Sequence, residues 1–176
     1  EDEWDHAGGA AQCSDRCSEA EHELEAEHAQ ALAGSKARAE YVERARALKH
    51  DERYQGIDGG PDDVFLAVAA EGCLGFDDSD YKYDVCPFER VTQRGKAHKF
   101  SLGTKGTWSS SLWEDGSQHK DYGMLIMGGG EYCDAMKARR QAELHFECSP
   151  TPKILSVQEL RACVYTVHMQ TPAACQ

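Results

Sequence analysis

Eight cysteines constrain the fold of this chain more than any other feature of its sequence. An even number at wide, irregular spacing is typical of a disulfide framework formed in an oxidising compartment. A zinc site is the alternative, but no Cys-x-x-Cys pair occurs and the histidines do not cluster near the cysteines. The sequence therefore predicts a disulfide-stapled domain. The cysteines are Cys13, Cys17, Cys73, Cys86, Cys133, Cys148, Cys163 and Cys175.

The overall charge and hydropathy exclude two classes of partner. The net charge is −12, and an acidic surface repels the phosphates of nucleic acid. No apolar run approaches the roughly 20 residues that a membrane-spanning helix needs. We therefore expect neither nucleic acid nor a membrane as partner.

The first third of the chain has a helical composition. Residues 14–53 lack proline, contain one glycine, Gly34, and are rich in Ala, Glu, Arg and Leu, which are strong helix formers. This composition predicts a charged helical segment over residues 14–55, either as one helix or as a helical hairpin bending at Gly34 and Ser35. Its large apolar residues are sparse, so it is either a solvated helix or one that rests on a partner chain.

The pattern changes after the turn-forming stretch "QGIDGGP", residues 55–61. Short apolar or alternating runs, separated by glycine and proline, predict strands. In "AELHFEC", for example, one face is predicted to carry Ala142, Leu144, Phe146 and Cys148 and the other Glu143, His145 and Glu147. Residues 62–176 are thus predicted to be all-β, and the fold class of the whole chain is α+β. The predicted strands are "VFLAVAA" (64–70), "YKYDV" (81–85), "GMLIM" (123–127), "AELHFEC" (142–148) and "CVYTVHM" (163–169).

Several motifs in the chain are distinctive. "YKYDVCPF" (81–88) contains Cys86, which lies thirteen residues after Cys73, the first cysteine of the β half. The stretch "VTQ" (91–93) comes shortly afterwards. "SLGTKGTW" (101–108), "VQELRACVY" (157–165) and "TPAAC" (171–175) come later, and "DEWDHAGGAAQCSDRC" precedes the helical segment. Together these motifs resemble the glucosidase II beta subunit family, whose C-terminal part is a mannose 6-phosphate receptor homology (MRH) lectin domain.

The resemblance implies a domain organisation and a disulfide pattern. Residues 1–13 would be the end of a calcium-binding LDL-receptor type A-like module, residues 14–55 the charged helix, and residues 62–176 an MRH domain, which is a flattened barrel. The implied disulfides are Cys73–Cys86, Cys133–Cys163 and Cys148–Cys175. Cys13 and Cys17 would pair with cysteines of a type A module that is not in this sequence, or they would form a different pairing.

The resemblance also implies a carbohydrate-binding site. The positions that match the MRH motif are Gln93, Arg140, Glu159 and Tyr165. Gln93 and Arg140 would meet the axial 2-hydroxyl of mannose, while Glu159 and Tyr165 would meet its 3- and 4-hydroxyls. These residue types offer the donors and acceptors that sugar hydroxyls need. Arg139 is a rival for Arg140, which we prefer because it is counted back from Cys148 along a regular strand.

The chain departs from the family pattern near this site. The family usually continues from its third cysteine with Trp-x-Gly-Pro, but here Cys133 is followed by "DAMKARR". The usual Glu-Pro-Ser is also replaced, by Glu159-Leu160-Arg161. The affinity and the preferred sugar linkage therefore stay open. Trp108 and Trp113 offer either a stacking face for a sugar or, more commonly in a small β domain, core.

The family resemblance implies a binding function rather than an enzymatic one. We expect a non-catalytic lectin subunit in the endoplasmic reticulum lumen, with the glucosidase II catalytic alpha subunit and high-mannose N-glycans as partners. The alternatives are an MRH adaptor of the GlcNAc-1-phosphotransferase gamma or quality-control type, a stapled interaction domain without sugar binding, and a glycosidase, although no motif orders the many carboxylates. We expect no cofactor in the lectin domain, and calcium only at Asp2 and Glu3.

Overall fold

The structure, a computed structural model, describes residues 7–176, with side chains from residue 18 onward. The helical segment forms one uninterrupted helix, α1, Ala7–Leu48. Of the two arrangements predicted, the single helix is therefore the one formed. Residues 18–33 are exposed on every side. In the described part of the chain, no helix is both long and apolar enough to cross a bilayer.

Gly34 is a point of close approach and not a bend in α1. A Cβ atom at this position would lie 2.8 Å from Cys175 Sγ and 3.1 Å from Cys148 Sγ. Real Cβ atoms do not tolerate the shorter of these distances, since interiors are close-packed. Glycine therefore lets α1 lie directly on a disulfide of the β half.

The C-terminal half of α1 packs into the core of the β half. Tyr41 and Ala45 are buried, and Tyr41 Oη donates a hydrogen bond to the Glu71 carboxylate. Arg44 Nη2 donates to the carbonyl oxygen of Ala67 at 3.0 Å. Residues 34–48 thus share a hydrophobic core with the predicted lectin domain, while the domain boundaries themselves stay a prediction.

The stretch 64–70, which we predict as a strand, is a helix, so that prediction is wrong. Helix α2, Phe65–Glu71, lies between α1 and the sheet. Phe65, Leu66, Ala67 and Val68 are all buried, and a short run buried on every side has no periodicity that separates helix from strand. Helix is favoured by the alanines. It ends at Gly72, which has a φ of +82°.

Ten strands follow within the described residues, and three short 3₁₀ turns, Glu52–Tyr54, Pro61–Asp63 and Pro172–Ala174, complete the fold. The strands are β1 Leu74–Asp77, β2 Lys82–Cys86, β3 Arg90–Arg94, β4 Lys99–Leu112, β5 Gln118–Gly129, β6 Tyr132–Cys133, β7 Ala138–Arg139, β8 Gln141–Cys148, β9 Lys153–Arg161 and β10 Val164–Thr171. Four of the five predicted strands are confirmed, in β2, β5, β8 and β10.

Eight of these strands form one sheet that curls into a flattened barrel. Their order is β1-β2-β3-β4-β5-β8-β10-β9, and the two outer strands, β1 and β9, lie against each other. Strands β8 and β10 are parallel, whereas the other neighbours in this sheet are antiparallel. The alternation predicted for β8 is confirmed for Ala142, Leu144 and Phe146, which are buried and face the core. It is wrong for Cys148, which is exposed at the end of the strand, where it is bonded to Cys175.

Three disulfides cross-link the β half. They join Cys73 to Cys86, Cys133 to Cys163 and Cys148 to Cys175, which are the three pairings that the family resemblance implies. The predicted fold class, an N-terminal charged helix followed by an all-β, disulfide-stapled flattened barrel, is confirmed.

Candidate functional site

The four predicted site residues line one cavity at one end of the barrel. Its volume is about 520 Å³. Gln93 comes from β3, Glu159 from β9 and Tyr165 from β10, while Arg140 follows β7 directly. Residues that are 72 positions apart in the sequence therefore meet at one site, and their sugar-binding role stays a prediction.

Gln93 lies on the inner face of the barrel. It is 5% exposed, and its Nε2 donates a hydrogen bond to Tyr83 Oη at 3.1 Å. The two residues are direct register partners on β3 and β2, so their side chains share a face. Burial raises the pKa of Tyr83, which keeps its hydroxyl protonated beside the amide.

Arg140 is held at the centre of the cluster. Its Nη1 donates to Tyr165 Oη at 2.9 Å and lies 3.4 Å from Cys163 Sγ. The guanidinium carbon lies 4.5 Å from the centroid of the Phe100 ring. Its Nε is buried and has no hydrogen-bond partner among the described residues.

The backbone around Arg140 explains this placement. Arg140 N donates to Glu131 O at 2.8 Å, and Gly130 N donates to Arg140 O at 3.0 Å. These bonds tie the start of β8 to the end of β5. Arg139, the rival, is exposed and donates from Nη1 to Gly130 O at 3.1 Å, so it does not line the cavity.

Glu159 and Tyr165 lie on the two strands that flank a tight turn. Glu159 Oε1 accepts a hydrogen bond from Cys163 N at 2.6 Å, and Cys163 has a φ of +63°. Tyr165 is 2% exposed. Its burial and the Glu159 carboxylate raise the pKa of Tyr165 to about 12, against the opposing effect of Arg140. The phenol is therefore a neutral donor and acceptor at physiological pH.

Some residues of the cavity were not identified from the sequence. Phe100 is the register partner of Gln93 on the next strand, and Tyr81 and Tyr132 form part of the wall. Tyr81 and Tyr83 stand out in the alternating "YKYDV" motif. Phe100 could have been found only by pairing the β3–β4 hairpin residue by residue.

The two tryptophans that offered a stacking face do not line this cavity. Trp108 is buried beside Phe65 and donates from Nε1 to Asp58 O at 2.8 Å, so it belongs to the core. Trp113 is 58% exposed and stacks on His119 with ring centroids 3.9 Å apart. It lies at the far end of the β4–β5 hairpin.

Other predicted features lie partly outside the described residues. Asp2 and Glu3 precede residue 7, and the side chains of Cys13 and Cys17 precede residue 18. The calcium expectation and the pairing of these two cysteines therefore stay predictions. Among the described side chains, no group of three or more His, Cys, Asp and Glu residues is placed to hold a metal ion.

A comparison with protein families assigns the chain to a class. The family model described as "Glucosidase II beta subunit-like protein" matches residues 31–176. The chain therefore belongs to the glucosidase II beta subunit-like family, and the family predicted from the sequence is confirmed.

Curated relatives fall in the same group. The gamma subunit of human (Homo sapiens) N-acetylglucosamine-1-phosphotransferase is 31% identical over 115 residues, covering 64% of this chain and 35% of the relative. The glucosidase 2 beta subunit of Bos taurus is 28% identical over 121 residues, covering 68% of this chain and 21% of the relative. The chain thus spans only about a fifth to a third of the length of these relatives.

Solved MRH domains are similar to this chain as well. The crystal structure of the glucosidase II beta MRH domain bound to mannose is 24% identical, covers 63% of this chain and 99% of that domain, and aligns with a TM-score of 0.47. The solution structure of the Yos9 MRH domain complexed with alpha3,alpha6-Man5 is 20% identical, covers 63% of this chain and 81% of that chain, and aligns with a TM-score of 0.49.

Proposed function

We propose that this chain is a non-catalytic lectin that binds mannose of N-glycans in the cavity formed by Gln93, Arg140, Glu159 and Tyr165. One observation carries the proposal: four residues chosen by family motif, from distant parts of the sequence, line a single cavity. Membership of the glucosidase II beta subunit-like family supports it.

The chemistry of the cavity suits a hexose. Arg140 and Gln93 offer donors on one side, and the Glu159 carboxylate offers acceptors on the other, while the Tyr165 hydroxyl serves as both. A pocket that bonds an axial hydroxyl discriminates against the equatorial epimer, because buried polar groups are then left unpaired. Selection of mannose over glucose follows from this arrangement.

The second part of the proposal concerns the partner. As a member of the glucosidase II beta subunit-like family, the chain would act in the endoplasmic reticulum lumen and present N-glycans to the glucosidase II catalytic alpha subunit. The wholly exposed helix segment 18–33 is the surface available for such a partner. The benefit of tethering is a raised effective concentration of substrate at the catalytic subunit.

Sugar binding is tested with the full oxidised chain, since α1 shares the core of the barrel. Titration with an α-linked mannobiose, beside a glucose disaccharide, should show mannose-selective binding in the micromolar to millimolar range typical of small polar ligands. Arg140→Ala should weaken it about 10-fold or more, because a hydrogen bond to a charged group contributes about 1.5–3 kcal/mol.

Arg139→Ala is the matched control, because Arg139 carries the same charge one residue away and points out of the cavity. It should leave the affinity within about twofold. Equal losses in both variants, or no binding by a folded wild type, would remove the mannose-site proposal and leave a stapled interaction domain.

The identity to the phosphotransferase gamma subunit favours a second candidate, an adaptor of that type. Co-purification separates the two. If glucosidase II alpha activity co-purifies with the tagged chain, the first candidate is supported. If phosphotransferase activity co-purifies with it and glucosidase II activity does not, the second candidate is supported.

A further inference from the structure

Phe100 occupies a position that sequence motifs do not single out. It lies on β4 directly opposite Gln93 on β3 and lines the cavity beside Arg140. We infer that Phe100 is a positioning residue, whose ring holds the Arg140 guanidinium in its sugar-binding orientation. This inference rests on the proposed function and names a further residue on which that site depends.

The geometry joins Phe100 to Arg140 closely. The guanidinium carbon lies 4.5 Å from the ring centroid, well within the roughly 6 Å over which a cation is attracted to an aromatic face. The Phe100 ring is itself stacked with His98, at a centroid distance of 6.0 Å and an interplanar angle of 28°. The guanidinium therefore contacts a ring that is itself stacked with His98, the residue directly before β4.

Other restraints on the Arg140 side chain are few. Its hydrogen bond to Tyr165 Oη, at 2.9 Å, and its contact with Cys163 Sγ both involve the same atom, Nη1. A side chain held at one nitrogen can still rotate, and residues 134–139 that precede it are exposed. The contact of the guanidinium carbon with the Phe100 ring, 4.5 Å from its centroid, restrains the side chain at a second point.

The plane of the guanidinium matters because all its N–H donors lie in that plane. Arg140 lines the cavity, so the direction of these donors decides which hydroxyls of a bound sugar they meet. They meet the sugar as proposed only if the guanidinium keeps this orientation. Holding the side chain in place beforehand also lowers the entropy lost on binding.

The position of Phe100 opposite Gln93 adds a consequence for the site as a whole. Gln93 and Arg140 are the two residues predicted to meet the 2-hydroxyl, and the ring lies beside both of them. Removing the ring would free Arg140 to move relative to Gln93. The loss should therefore fall on mannose affinity more than on the fold.

The test uses three variants of the full oxidised chain. Phe100→Leu removes the aromatic face but keeps an apolar side chain, and Phe100→Tyr restores the face. Phe76→Leu is the matched control, because Phe76 is a partly buried aromatic packed against Tyr83 that does not line the cavity. Two quantities are measured: the affinity for α-linked mannobiose and the NMR resonance of the Arg140 Nε–H group.

We expect Phe100→Leu to weaken binding about 2- to 30-fold, the range of a cation–π contact. It should also shift the Arg140 Nε–H resonance, because the ring current of Phe100 is lost. Phe100→Tyr should recover both properties. Phe76→Leu should lower the melting temperature but leave the affinity and the resonance in place.

The outcomes separate this inference from the proposed function. If the wild type binds and Phe100→Leu binds equally well, the inference is overturned and the lectin proposal stands. An affinity that falls in Phe100→Leu and recovers in Phe100→Tyr supports the inference. If the folded wild type binds no mannobiose, the lectin proposal fails, and the inference that rests on it fails with it.

Discussion

The disulfide between Cys148 and Cys175 lies against α1 at Gly34, where any side chain would collide with sulfur. A Cβ atom there would lie 2.8 Å from Cys175 Sγ. Glycine in a helix interior normally lowers stability by roughly 1 kcal/mol relative to alanine. Here the close contact between helix and disulfide outweighs that loss.

Gly34→Ala should therefore destabilise the protein, although alanine is the better helix former. Overpacking of this kind costs about 1–3 kcal/mol, measured as a fall in the free energy of unfolding in urea. Gln30→Ala, an exposed position one turn earlier, is the control and should change stability by less than about 0.5 kcal/mol. A more stable Gly34→Ala variant would mean that α1 does not lie on the disulfide.

Tyr165 links the site to a pH-dependent stability. Burial and the Glu159 carboxylate raise the pKa of Tyr165 from the ordinary tyrosine value of 10.0 to about 12. The folded state then holds this proton more tightly than the unfolded state, so the stabilisation is complete below pH 10 and is lost as the pH rises towards 12.

A titration of tyrosinate absorbance should therefore contain a late ionisation near pH 12 that Tyr165→Phe lacks. Glu159→Gln should move that step to lower pH, because it removes the neighbouring negative charge. Ionisation of Tyr165 together with the exposed tyrosines would contradict the buried placement.

At the level of elements, the C-terminal half of α1 belongs to the barrel. Ala45 is 0% exposed and Tyr41 is 6% exposed, whereas Ala47, two residues further on, is exposed. A helix that only rested on a partner chain would show no such difference between neighbouring alanines.

Ala45→Glu should destabilise the protein by on the order of 3 kcal/mol or more, because it buries an unpaired charge. Ala47→Glu places the same charge in solvent and should have little effect. Thermal unfolding of the two variants in parallel measures the difference. Equal melting temperatures would show that α1 is not packed as described.

Sequence reasoning selects residues that meet in one cavity where cysteines anchor the pattern, and it fails where burial decides the secondary structure. Gln93, Glu159 and Tyr165 could be assigned to that cavity because each lies at a short, countable distance from a cysteine, and their sugar-binding role stays a prediction. The helix Phe65–Glu71 was mistaken for a strand, because an apolar run buried on all sides has no period. Phe100 was missed because its role depends on cross-strand register, which no local motif reveals.

At the scale of the whole molecule, the cavity and the helix lie at opposite ends of the same strands. Arg140 and Tyr165 lie at the start of β8 and β10, while Cys148 and the disulfide under Gly34 lie at their end. Strand β8 has eight residues, so at about 3.3 Å per residue the two regions are roughly 23 Å apart. A glycan and a partner on the helix could therefore be bound at the same time, as presentation of a substrate requires.

The most direct test follows the NMR spectrum of the labelled, oxidised full chain during titration with α-linked mannobiose. We predict saturable shifts of the Gln93 side-chain amide, the Cys163 backbone amide and the Arg140 Nε–H group, with residues 18–33 of α1 unchanged. The Arg140→Ala variant should show none of these shifts. Saturable shifts confined to another surface, or none at all in a folded wild type, would contradict a mannose site at this cavity.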